Sequence, residues 1–598
     1  MSDDIKPIEE ILSVFENSTE KFMEYDVARA IESEIGNVSD PQSVPNEYTW
    51  EKMAFEFCED YPDVDTGWGT YYGPMMSGPT GDGQYFEYPS IRKLTPDTVA
   101  YWVNRASEAR HPVLAVRYAD LTWEFSKAIT NSSADYTVAQ IAIDGRIEIA
   151  QQDLQEPTLT IQHLRRALSL AISLNDSSRI EKVGNAILAY EDHVAEDEKA
   201  GLWGFGFDLL VSNRKFALPK DLEEKIIQDL EDRLDRLTQL TDEMFLTSHR
   251  WKAQAALSRL TSYYHKQGQA EEVKRVILKY YEGFRHLVGS EASFIASGWL
   301  QEVYSTFKQY GFNEEAEAIA PNLREVWGRA SNEMATHSFE MEVTKEELDQ
   351  YVDSLLADSR ESATIRMTVH FIPKRDEAEN QVRQLAQDYP MSFLITKQLL
   401  DHEGRPVASV GSIEDDFDGN VVHQVSQNMA YATFFLRNVL DAYVDRFEVS
   451  TQELLSHIYT SPIFADDKKG IVEKGIDAFM QGDALTSVHL LIPQIEAAIR
   501  RLAELLGIAI IRPGRSGAMQ YRLLDELLRD PNIEETLGRD ASWYFRILLT
   551  DQRGWNLRNS VSHGLLPHEQ FEQGMADRVL HALLLLCLIR ENLAEASA

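Results

Sequence analysis

A chain of 598 residues is too long to fold around one core, and about three domains is the natural expectation. An apolar content of 43% and a charged content of 26% are those of an ordinary globular protein, which excludes a disordered or fibrous chain. The net charge of −39 opposes bulk contact with nucleic acid, and two cysteines, Cys58 and Cys587, exclude a disulfide framework or a cysteine-based zinc site. The acidic first residues lack an apolar h-region, and the longest apolar run, Ala582 to Ile589, falls far short of the ~20 residues a membrane span needs. The expectation is a cytoplasmic protein with no membrane partner.

Residues 4–35 hold two helical patterns, the first with Ile8, Ile11, Leu12 and Phe15 on one face. From Tyr61 to Pro89 the pattern gives way to Gly, Pro and Tyr, a long loop. Its Trp68, Tyr71, Tyr72, Tyr85 and Phe86 offer either a stacking surface for bases or anchors onto their own domain, and the second reading is preferred. No Gly-Lys-Ser/Thr follows these glycines, so they form no P-loop. Thr95 as N-cap, Pro96 and Asp97 predict a helix start, and Pro112 divides the helical segment 101–123. Arg105, Arg110, His111, Arg117 and Asp120 lie in that segment, where Arg117 and Asp120 have the i,i+3 spacing of an ion pair that locks helices.

Between about 137 and 340 the chain reads as successive helical hairpins of about 30 to 40 residues, an irregular solenoid whose concave face suits a protein partner. Around 361–411 the period changes. Ala363 to Val369 alternates and is β-branched, Glu377 to Gln387 is helical, and His402 to Gly411 is a turn leading into a strand. The acidic run Glu414 to Asn420 lacks the ligand spacing of an EF-hand and predicts a solvated turn. Helices resume at Gln424–Phe447. Beyond 450 they recur at about 467–481, 484–506, 519–528, 542–549, 555–563 and 571–591, a four- to five-helix bundle. The expected architecture is mainly α: an N-terminal helical module (1–135), a helical-hairpin region (136–345), a small mixed α/β segment (346–450) and a helical bundle (451–598).

The bundle carries the chemistry. Leu557-Arg-Asn-Ser-Val-Ser-His-Gly places a guanidinium, an amide and an imidazole within a turn and a half of helix, and Gly564 is a suitable αL cap with Pro567 beyond it. At about 100° per residue, Asn559 and His563 share a face, whereas Arg558 projects about 140° from His563. One copy does not converge the two, and a two-fold pair of helices can. A histidine in a last helical turn can move a proton to or from a ribose 2′-hydroxyl, and Arg558 can hold the scissile phosphate. The competing reading is that both residues cap helix carbonyls. Local charge favours an anionic partner here: from Leu491 onward there are twelve arginines, no lysine and fourteen acidic residues, a net −2 that leaves −37 for the rest.

Asn556-Leu-Arg-Asn-Ser-Val-Ser-His-Gly resembles the Asn-Leu-Arg-Asn-x-x-x-His-Gly signature of a domain-of-unknown-function family, which itself resembles the HEPN superfamily of helical bundles. Ile492-Pro-Gln-Ile-Glu-Ala-Ala-Ile-Arg resembles that family's first long helix, with Glu496 and Arg500 one turn apart. The resemblance covers about 455–598. The segment 101–123 resembles an N-terminal module that accompanies this domain and carries no chemistry of its own. Active HEPN proteins are metal-independent, cofactor-free endoribonucleases that act as dimers, often as toxins or in antiphage defence. The resemblance therefore implies RNA as substrate, a homodimer through the C-terminal domain, and Arg558, Asn559 and His563 as catalytic residues, with Glu496, Arg500 and Gly564 in support. Because some HEPN domains are inactive partners or bind nucleotides, a non-catalytic assembly scaffold and a nucleotide sensor stand as alternatives.

Overall fold

A computed structural model of the chain describes residues 5–36, 43–61, 67–80, 85–213, 218–239, 246–289, 293–333, 342–514 and 517–590. The protein is mainly α. Among the described residues, strands form only three two-stranded antiparallel hairpins: 76–79 with 85–88, 397–400 with 406–410, and 511–513 with 519–521. The chain divides into two compact units, Met1–Leu323 and Arg324–Ala598. No described helix is long and apolar enough to cross a membrane.

In the first unit, Thr95 caps Pro96–Glu108 in a capping box with Thr98, and Pro112 opens the next helix, Pro112–Thr130. The expected Arg117–Asp120 pair does not form. Arg117 reaches Glu59 at 2.9 Å and the Ala54 carbonyl at 2.6 Å. Asp120 faces away from it, toward Arg146 and Arg166, each at 2.7 Å from helices Tyr136–Gln152 and Pro157–Ser173. Both residues are buried, so the helices packed around each side chain select its partner ahead of its own helix neighbour. Burial alone would raise the Asp120 carboxyl, but Arg166 and Arg146 hold it down at about 2. The hydroxyl of Tyr72, from the aromatic loop, donates to Asp120 at 3.2 Å, and Tyr71 lies 3.9 Å beneath Arg166. These rings anchor the loop to its own unit, while Tyr85 and Phe86 of the hairpin are exposed. Residues 62–66 and 81–84 of that stretch lie outside the described residues. Farther on, the turn between Leu246–Lys266 and Ala270–Phe284 closes through Gly268 at φ 71°, with Gln269 N–H donating to the Tyr264 carbonyl at 2.9 Å.

In the second unit one apolar core runs from Val352 to Cys587. Residues 363–369, which alternate like a strand, lie instead within the helix Arg360–His370. Ala363, Thr364, Met367 and Thr368 form its buried stripe, and the Thr364 and Thr368 hydroxyls donate to the carbonyls four residues back, each at 2.7 Å. Those bonds satisfy β-branched polar side chains inside a helix. The acidic run at 414–420 is likewise more than a solvated turn. Asp416 accepts Gly419 N–H at 2.9 Å to cap the helix Phe417–Phe447, and Arg553 pairs with Asp416 and Asp418. Met519–Tyr521 is a strand rather than the start of a helix, which begins at Leu524.

Candidate functional site

The site is built from two helices, Ala484–Leu505 and Leu557–Ser562. On the first, Val488, Leu491, Ile495, Ala498 and Leu502 face the core, and Glu496 and Arg500, one turn apart, sit at the edge of that stripe. The short motif helix is too brief to hold itself and depends on its approach. Gly554 allows the chain to pass so close to Ile547 that an added Cβ would lie 2.4 Å from its carbonyl oxygen. Trp555 then bonds the same carbonyl through its N–H at 2.9 Å, and its indole donates to the Ser426 carbonyl at 3.2 Å. Leu557 is buried beneath.

The predicted residues fall into one network and one outlier. Arg558 Nε donates to Glu496 Oε2 at 2.7 Å, and Arg500 Nη2 donates to Glu496 Oε1 at 2.6 Å. Burial would raise the Glu496 carboxyl, but the two guanidiniums hold it below the ordinary value of 4.5. Two cations share one anion, so the cluster keeps a net positive charge. Arg558 Nη1 donates to Asn559 Oδ1 at 3.0 Å, and Asn559 Nδ2 donates to Asn556 Oδ1 at 2.7 Å. Arg500 Nη1 continues the chain to the Arg522 carbonyl at 2.8 Å.

His563 is the outlier. It is the exposed C-cap of the motif helix, and among the described residues its imidazole makes no hydrogen bond and shares no partner with Arg558. Gly564 has φ 62° and closes the helix, with its own N–H on the Val561 carbonyl at 3.1 Å and Leu565 N–H on that of Ser560 at 2.9 Å. Within one chain the guanidinium is therefore held rigidly and the imidazole is free in solvent. No group of three or more His, Cys, Asp or Glu among the described residues could hold a metal ion.

Arg500 also lines a cleft of about 420 Å³ with Arg501, Lys468, Tyr459 and Tyr521. The Arg500 guanidinium stands 5.1 Å from the Tyr521 ring. Sequence reasoning missed this cleft, because its residues come from four separated segments and share no pattern.

The class of protein that the fold defines is a mainly helical one with small hairpins. Residues 72–183 match a family model described as a domain of unknown function (DUF7380), a span that includes the 101–123 segment and the buried Asp120 cluster. No curated protein and no solved structure matches the chain.

Proposed function

We propose that the C-terminal helices form a metal-independent endoribonuclease of HEPN type. The observation that supports this reading most is the Glu496 carboxylate shared by Arg558 and Arg500, which fixes a partly exposed guanidinium on the short helix that ends at the exposed His563. In the proposed reaction a ribose 2′-oxygen attacks the adjacent phosphorus and gives its proton to a histidine base. Arg558 stabilises charge on the phosphoryl oxygens. The P–O5′ bond breaks, the leaving oxygen takes a proton from a protonated histidine, and the products are a 2′,3′-cyclic phosphate and a 5′-hydroxyl. Because Arg558 and His563 share no partner in one chain, a second copy supplies the complementary residue, and the working unit is a homodimer. Purified protein is expected to cut RNA in EDTA, with Arg558→Ala and His563→Ala both inactive. Full cleavage by both variants would sink the proposal.

One observation favours a second reading, a non-catalytic assembly domain. Arg558 and Asn559 are tied to Glu496, to each other and to Asn556, as in a structural clamp. Melting separates the two. In a catalytic role His563→Ala leaves stability nearly unchanged, whereas in a capping role it costs about 1 kcal/mol.

A further inference from the structure

Away from the motif, the second unit contains a cavity of about 510 Å³, within the range of about 300–1,000 Å³ typical of small-ligand sites. Phe371, Met429, Phe435 and the ring of Tyr351 make one apolar wall, and Lys374, Glu377, Gln381 and Asn428 make a polar one. Arg578 lines it as well and is 1% exposed. Its Nη2 donates to the Met429 carbonyl at 2.8 Å and its Nη1 to the Phe371 carbonyl at 3.4 Å, which fixes the guanidinium in place. Its Nε has no partner.

A buried guanidinium is ordinarily matched by a carboxylate, as Arg146 is by Asp120. Among the described residues no Asp or Glu forms an ion pair with Arg578. The adjacent Asp577 is committed elsewhere, to Arg437 at 2.8 Å. A fixed, buried guanidinium with no ion pair, bordering a cavity with one apolar wall, is an incomplete site. We propose that the cavity binds a small organic anion, an aromatic or branched apolar body bearing one carboxylate or phosphate that serves as the missing counterion of Arg578. The apolar wall takes the body, and the guanidinium takes the anionic head through the Nη hydrogens that its two carbonyl bonds leave over, with the Glu377 carboxylate turned from the head. Lys374, bonded only loosely to Asp540 at 3.5 Å, adds positive charge at the cavity.

The test uses the full chain and calorimetry, with benzoate and phenyl phosphate as probes, benzyl alcohol as the neutral counterpart and inorganic phosphate as the bare anion. The aromatic anions should bind and raise the melting temperature, with both controls weaker by at least about tenfold. Arg578→Met should abolish the difference between benzoate and benzyl alcohol. Since that variant risks misfolding, Ala432→Phe provides a second arm: it fills the cavity, keeps Arg578 and should also abolish binding. Equal affinity for benzoate and benzyl alcohol overturns the proposal. So does undiminished binding by folded Ala432→Phe, or no binding of either aromatic anion at about 10 mM. RNA cleavage plays no part in this readout, so its outcome is independent of the nuclease reading.

Discussion

Glu496 shows how one side chain carries a whole site. Among the described residues its carboxylate is the only anion that Arg558 and Arg500 share, and its side chain is 15% exposed. Glu496→Gln leaves two half-buried guanidiniums without a counterion and is expected to cost ~1–2 kcal/mol by urea titration, less than for a fully buried pair. The carboxyl is held below 4.5, so its contribution is complete above the unfolded-state value and is lost as pH falls through the folded value. The variant should therefore show a shallower loss of stability below about pH 4.5. His581 acts in a higher window. It is buried, its Nε2–H donates to the Thr368 carbonyl and its Nδ1 accepts from the Tyr544 hydroxyl, both at 2.9 Å. Burial, reinforced by Arg578, lowers it from 6.5 to about 3. Below pH 6.5 the unfolded chain binds a proton that the folded chain refuses, so stability falls until about pH 3, where the folded form also protonates. His581→Phe should flatten that limb between pH 6.5 and 3 and lower stability at neutral pH, because Tyr544 and Thr368 lose their partner.

At the scale of elements, the helix ends are where sequence chemistry and structure agree most closely. Thr95, Pro96 and Thr98 make the expected N-terminus, and Gly564 makes the expected C-terminus of the motif helix. Gly564→Ala isolates the backbone cost of that cap, because the added Cβ meets nothing within 4 Å while φ stays at 62°. A loss of about 1 kcal/mol is expected, with Gly564→Asn milder, measured by thermal or urea unfolding. A neutral Gly564→Ala would show that the helix ends elsewhere in solution. The strand-like run at 363–369 misled because Thr and Val occur in both periods. Only the packing of Thr364 against Tyr443, with a 2.7 Å hydroxyl contact, shows which face is buried. The Met519–Tyr521 strand was missed for a related reason: three-residue strands are too short to show a period.

Over the whole molecule, charge is the dominant long-range term. A net charge of −39 produces repulsion that acts over tens of ångströms, whereas ion pairs such as Arg146–Asp120 act at 2.7 Å inside the protein. Salt screens the first far more than the second. The melting temperature should rise by several degrees between ~20 and ~200 mM NaCl, and a fall would show that surface pairs outweigh the repulsion. The sequence by itself determined the mainly helical class, the caps that start and stop helices, and the spacing that places Arg558 and His563 on different sides of one helix. Each of these follows from local backbone geometry. Only the tertiary structure decided which charges meet. Arg558 finds Glu496 across 62 residues, Arg117 turns from Asp120 toward Glu59, and Arg578 lines a cavity with no ion pair among the described residues. A buried charge takes the partner that helix packing brings within bonding distance, and separation along the chain does not encode that choice.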